Sequence, residues 1–118
     1  MESNHSPVNA EKLEELIDLF GDREEVKDLF VEFFEELPTR LSALRAGLQT
    51  GTPEAVDQAA HALKGSSASL GATHVQEAAM ALEADGRSKQ LSDAPDHLET
   101  LERELTILQK WLSDSGLL

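Results

Sequence analysis

The chain has 118 residues, no cysteine, and 23 acidic against 10 basic side chains, for a formal net charge of −13. That length fits one domain with one modest core, and the missing thiols exclude disulfides and thiolate metal sites. The acidic balance excludes a nucleic-acid partner, whose phosphates need a basic face, and equally an anionic membrane surface.

The opening residues carry neither the basic nor the apolar region of a signal peptide, and residues 1–8 read as a disordered lead-in to a domain spanning 9–118. Nothing approaches the roughly 20 apolar residues that span a bilayer, so a cytoplasmic location is expected. Asn9 is the first helix-capping residue, Leu13, Leu16, Ile17 and Phe20 recur at helical spacing, and Gly21 ends that short helix. Asp22 and Glu25 then have the spacing of a capping box. They open a long stripe of Val26, Leu29, Phe30, Phe33, Leu37, Leu41, Leu44 and Leu48. Pro38 is expected to kink this helix without ending it, because the stripe resumes in phase. Gly47 and Gly51 mark its end.

Thr52-Pro53-Glu54 starts the third helix with a capping hydroxyl, a first-turn proline and an acid on the positive end of the dipole. Val56, Ala59, Ala60, Leu63 and Leu70 give its buried stripe, and Gly71 breaks it. Val75, Ala78, Ala79 and Leu82 carry a fourth helix that is expected to stop near Gly86. After a polar loop, Ser92 or Asp93 caps the last helix, which bears Pro95 in its first turn and the stripe Leu98, Leu101, Leu105, Leu108 and Leu112. No strand-like alternation occurs. The expected fold is all-α: an up-and-down antiparallel four-helix bundle with a short additional N-terminal helix. The alanines of 55–62 and 78–84 predict close packing between the third and fourth helices.

One run combines groups that a plain bundle helix does not need: Ala60-His61-Ala62-Leu63-Lys64-Gly65-Ser66-Ser67-Ala68-Ser69-Leu70-Gly71-Ala72. At about 100° per residue, His61 points away from Leu63, while Lys64 and Gly65 share its face. A glycine inside a helix costs roughly 1 kcal/mol against alanine. Beside an exposed imidazole, a bare backbone gives a partner access to His61.

These residues, with Leu70-Gly71-Ala72 and the proline within the long second helix, resemble the histidine-containing phosphotransfer (HPt) domain family. The resemblance extends from about residue 10 to residue 113. It implies a phosphoryl carrier of a multistep His–Asp phosphorelay in two-component signal transduction, and not an enzyme. His61 would take a phosphoryl group from an aspartate on one receiver domain and pass it to an aspartate on another. The implied partners are response-regulator receiver domains and a hybrid sensor histidine kinase, and the chain is expected to be a monomer. No cofactor is expected on this chain, because the receiver supplies the Mg²⁺. Lys64 and Ser66 are the candidates for stabilising the phosphoryl group. Ala62, Gly65, Ala68, Glu83 and Arg87 are the candidates for access and docking. Glu83 is a departure, since some members carry glutamine there. A carboxylate would orient the imidazole through its ring N–H but repel a phosphoryl group. Arg87 either binds the receiver or balances Glu83.

The chemistry agrees with the residue types. Neutral imidazole is a nucleophile near neutral pH, and phosphoryl transfer asks mainly for in-line approach and charge neutralisation. The bland alternatives are a surface histidine on a helical adaptor, a solvated Lys64 paired with Asp57 or Glu83, and a Gly65 used for helix packing. His5, His74 and His97 read as surface or loop residues without a role. A di-metal bundle centre needs inward Glu-x-x-His pairs, yet Gln58, Gly71 and Ala94 stand three residues before His61, His74 and His97.

Overall fold

The computed structural model describes residues 6–118. Five helices follow one another: α1 Ala10–Phe20, α2 Arg23–Thr50, α3 Pro53–Ser69, α4 Thr73–Ser88 and α5 Ala94–Asp114. Helix α3 packs on α2 and α4, α4 on α5, and α1 on α2. A groove lined by Arg45, Leu48 and Gln49 of α2 and Pro95, Leu98 and Glu102 of α5 runs between these two helices, and the Arg45–Glu102 ion pair bridges it. The bundle of four with one short added helix is therefore the observed architecture. No helix of the described residues is long and apolar enough to cross a membrane.

The expected stripes form the core. Val26, Phe30, Leu44, Val56, Ala60, Leu63, Val75, Ala79, Leu82, Leu101, Leu108 and Leu112 are all fully buried. The Asn9 and Asp22 side chains accept the backbone N–H groups of Lys12 and Glu25, so both helices begin with a satisfied cap. Gly21 and Gly51 end α1 and α2 in the left-handed region. Helix α2 runs unbroken through Pro38, which sits on the exposed side while Leu37 and Leu44 stay buried on the other.

Several local expectations change. The Thr52 hydroxyl does not cap α3; it lies 2.7 Å from the Thr50 hydroxyl. Asp93 stands at the N-cap of α5, but its side chain makes no capping bond. Helix α4 does not stop at Gly86 but continues to Ser88, and Lys89 takes the left-handed conformation that ends it. Gly86 serves packing instead: a Cβ there would lie 2.6 Å from the backbone N of Asp57 and 2.7 Å from the carbonyl O of Pro53.

The start of the domain also moves. Residues 1–5, His5 included, lie outside the described residues. Pro7 and Val8 are buried, and Val8 belongs to the core, so the expected lead-in does not extend through residue 8. At the other end Gly116 turns the chain with φ 76°, which lets the Leu117 N–H donate to the Leu112 carbonyl and buries the Leu117 side chain.

Gly71 is required twice over. Its φ is 73°, where a Cβ is strained, and that Cβ would meet the Lys12 side chain at 2.8 Å. Its carbonyl accepts from the Asn9 N–H at 2.8 Å. Leu70 and Ala72 on either side are buried. The Leu-Gly-Ala part of the motif is therefore the seat on which α1 docks, while its His-x-x-Lys-Gly part faces outward.

Candidate functional site

Small residues set the geometry. Ala59 and Ala60 on α3 and Ala78 and Ala79 on α4 are buried small residues of two helices that pack together, and Gly86 lets the α4 backbone rest on the Pro53–Asp57 turn. This close approach brings Glu83 beneath His61. Glu83 is the only buried charged side chain among the described residues. A charge is tolerated there only when it is paired and hydrogen-bonded, and Glu83 is engaged three times. Its Oε2 accepts from the His61 Nδ1–H at 2.6 Å and lies 3.0 Å from Arg87 Nη2, while its Oε1 accepts from Lys64 Nζ at 2.9 Å. Arg87 Nε also reaches Asp57 Oδ1 at 3.4 Å. The two carboxylates and two cations cancel, leaving a neutral setting for the imidazole.

The hydrogen bond from Lys64 holds the Glu83 carboxyl below its ordinary value. Burial opposes that shift, and the His61 hydrogen bond and the Arg87 charge reinforce it. Glu83 is thus a carboxylate at neutral pH, and a carboxylate only accepts. The proton of a neutral His61 ring then sits on Nδ1, which leaves the Nε2 lone pair unshared. The ring is open to solvent, with 62% of its side-chain surface exposed.

Gly65 lies one turn further along the same face, and a Cβ built there meets nothing within 4 Å. Helix packing does not account for this glycine. Ala62 and Ala68 are half-buried, so the surface around the imidazole stays low on α3. On α4 a shallow depression lined by Met80, Glu83, Ala84 and Arg87 continues it, with Met80 47% exposed.

One sequence assignment changes. Ser66 does not join the cluster; it turns toward α2 and lines a groove with Phe33, Glu36 and Leu70. Glu83 lies under the three groups it binds, with 6% of its side chain exposed at the α4 depression. Arg87 takes the balancing option, and Lys64 pairs with Glu83 rather than Asp57. Asp57, the partner of Arg87, was not among the expected site residues, although its place four residues before His61 put it on the correct side of α3. Ser67 is fully buried, and its hydroxyl donates to the carbonyls of Leu63 and Lys64.

The other described histidines also face carboxylates. His97 Nδ1 lies 2.6 Å from Asp85 Oδ2, tying α5 to α4, and His74 Nδ1 lies 3.7 Å from Glu104. His61 differs in having Lys64 and Arg87 on the oxygens of its own carboxylate partner. Among the described residues no three His, Cys, Asp or Glu side chains are grouped to hold a metal ion.

Comparison with known proteins places the chain in a family and a fold. The Hpt domain family matches residues 28–111. The crystal structure of histidine-containing phosphotransfer protein B (HptB) from Pseudomonas aeruginosa PAO1 superposes with a TM-score of 0.85 at 28% identity, covering 92% of this chain and 93% of that one. No curated protein sequence matches the chain.

Proposed function

The chain belongs to the Hpt domain family, and from that premise we propose that it is a phosphoryl carrier of a His–Asp phosphorelay, with His61 as the residue that carries the group. The observation that carries this reading is the pairing of Nδ1 with a buried carboxylate, which leaves Nε2 as the free nitrogen on a largely exposed ring. The open space over Gly65 supports it, since in-line attack needs the donor's phosphorus close to that nitrogen.

In this reading Nε2 attacks the phosphorus of an aspartyl phosphate on a response-regulator receiver domain, and the group later moves to the aspartate of another. Lys64 begins on Glu83 Oε1, one helical turn from His61, and its flexible stem lets the ammonium turn toward the phosphoryl oxygens. The low rim of Ala62, Gly65 and Ala68, with the Met80–Ala84 depression beside it, is the docking face. The chain itself is a carrier; the receiver brings the Mg²⁺ and most of the transition-state stabilisation. A hybrid sensor kinase is the upstream source, the exchange is cytoplasmic, and the chain acts as a monomer.

The test is labelling by phosphoramidate or a phosphorylated receiver, comparing wild type with His61→Gln. Acid-labile, base-stable phosphate on the wild type and none on the variant is the expected result. Equal labelling of both proteins would move the carrier role to another residue. No labelling of either from several donors would favour a helical adaptor with His61 unused.

A further inference from the structure

The seams of the bundle are not alike. Helices α2 and α3, α3 and α4, and α4 and α5 pack closely, whereas the backbones of α2 and α5 approach each other less than those of any of these pairs. The α2–α5 seam holds two cavities of about 550 and 400 Å³. Arg45 and Glu102 line both, so their ion pair marks the boundary between them. The two side chains are 51% and 40% exposed, and a pair so exposed holds weakly. Along α2 the lining runs from Phe34 to Gln49, a distance of about 22 Å at the helical rise.

The chemistry of this trough is specific. Phe34, Leu41, Leu48 and Leu98 line it and are only half-buried. Its charges are unequal: Asp96, Glu99 and Glu102 stand on the α5 side against Arg45 alone on α2. Neither Asp96 nor Glu99 has an ion-pair partner among the described residues.

We propose that the α2–α5 trough is a docking site for a basic amphipathic helix of a partner protein. A helix lying in a groove between two others sets its apolar stripe on their exposed leucines. Its Lys and Arg side chains meet Asp96 and Glu99, and one of them takes Glu102 from Arg45, which joins the two cavities. A second copy of this chain fits poorly, because each of the five helices carries more carboxylates than cations. The seam lies across the bundle from the α3–α4 seam that holds His61 and shares no residue with that site. A partner seated there anchors the chain and leaves His61 open, whatever His61 carries.

The test is selection against the full chain from a library of helical peptides of about fifteen residues. Leucine stands at every third or fourth position, and the other positions vary among Lys, Arg, Glu and Gln. The selected peptides should be rich in Lys and Arg. They should shift amide resonances of α2 and α5 along the trough and leave those of His61 to Gly65 in place. Asp96→Lys with Glu99→Lys should weaken binding about tenfold. The same charge change at exposed positions of α1, Glu11→Lys with Glu14→Lys, should alter it less than about twofold. Arg45→Ala removes the rival cation and should tighten binding. Absence of binders, binders that are not basic, shifts centred on another seam, equal losses in both double variants, or no gain in Arg45→Ala would each overturn the proposal. So would a dimer of the chain alone, seen by sedimentation and dissolved by Asp96→Lys with Glu99→Lys, because the trough would then belong to a second copy.

Discussion

Two helix-interior glycines offer a controlled pair of substitutions. Replacing either by alanine gains the same intrinsic helix propensity, about 1 kcal/mol. At Gly65 the new methyl meets nothing within 4 Å, so the gain is realised. For a 118-residue chain unfolding with about 2 cal/mol/K per residue, 1 kcal/mol raises Tm by about 4 °C. At Gly86 the methyl meets Asp57 N at 2.6 Å, Pro53 O at 2.7 Å and Asp57 Cα at 2.9 Å, all backbone atoms that cannot turn aside. Overpacking of this kind costs about 1–3 kcal/mol, which outweighs the propensity gain and predicts a net loss. The relief available is separation of α3 from α4, which also draws Glu83 away from His61. Gly86→Ala is therefore expected to lose phosphorylation rate as well as stability, although it lies outside the cluster. Urea and thermal unfolding followed by circular dichroism, with labelling of the folded proteins, check both variants. A Gly86→Ala protein as stable and as active as wild type, or a Gly65→Ala protein less stable than wild type, would refute the helix-approach reasoning.

Other substitutions separate access, docking and charge. Gly65→Gln should fold normally and be labelled by phosphoramidate, yet receive phosphoryl groups from a receiver at least tenfold more slowly; an unchanged receiver rate would remove the access role. Met80→Glu should raise the receiver concentration needed for half-maximal transfer without altering phosphoramidate labelling, and unaltered concentration dependence would take Met80 out of the docking face. Gly71→Ala should lose about 2 kcal/mol through its positive φ and the Lys12 contact at 2.8 Å, visible as faster hydrogen exchange in α1. The Glu83 carboxyl is held below the ordinary carboxylate range, chiefly by the Lys64 hydrogen bond, so its charge stabilises the fold above that range and the contribution disappears as pH falls through the lowered value. Unfolding from pH 7 to pH 3 should show the wild-type advantage over Glu83→Gln shrinking on acidification; an advantage that grows would reverse the assignment.

How far the sequence reaches depends on the range of the interaction involved. Helix identity rests on period and caps, so Val26 to Leu48 and Leu98 to Leu112 could be read as stripes directly. Proline 38 did not mislead, because the residues on either side stayed in phase. Features that depend on distant partners were not readable. Val8 and Leu117 join the core only because turns at either end fold them back. Gly86 looked like a stop signal, and its real partner is the backbone of another helix. The Thr52 hydroxyl had a competitor in Thr50 that the capping rule does not consider.

The site divides the same way. His61, Lys64 and Gly65 share one helix face by rotation alone, and the structure keeps them there. Ser66 lies some 140° around from His61 at about 100° per residue, which is why it faces α2. For Glu83 the sequence could offer orientation or repulsion, because its depth depends on how closely α4 approaches α3. The pairing of Arg87 with both Glu83 and Asp57 was hidden for the same reason.

The central claim is that this chain passes a phosphoryl group through His61, and a round trip tests it most directly. One receiver domain, phosphorylated and freed of excess donor, is mixed with the chain and a second, unphosphorylated receiver, and the label on each protein is followed in time. The account predicts label appearing on the wild-type chain as an acid-labile, base-stable adduct, then on the second receiver, with both signals lost in His61→Gln. Equal arrival of label at the second receiver through His61→Gln, or without the chain, would contradict it.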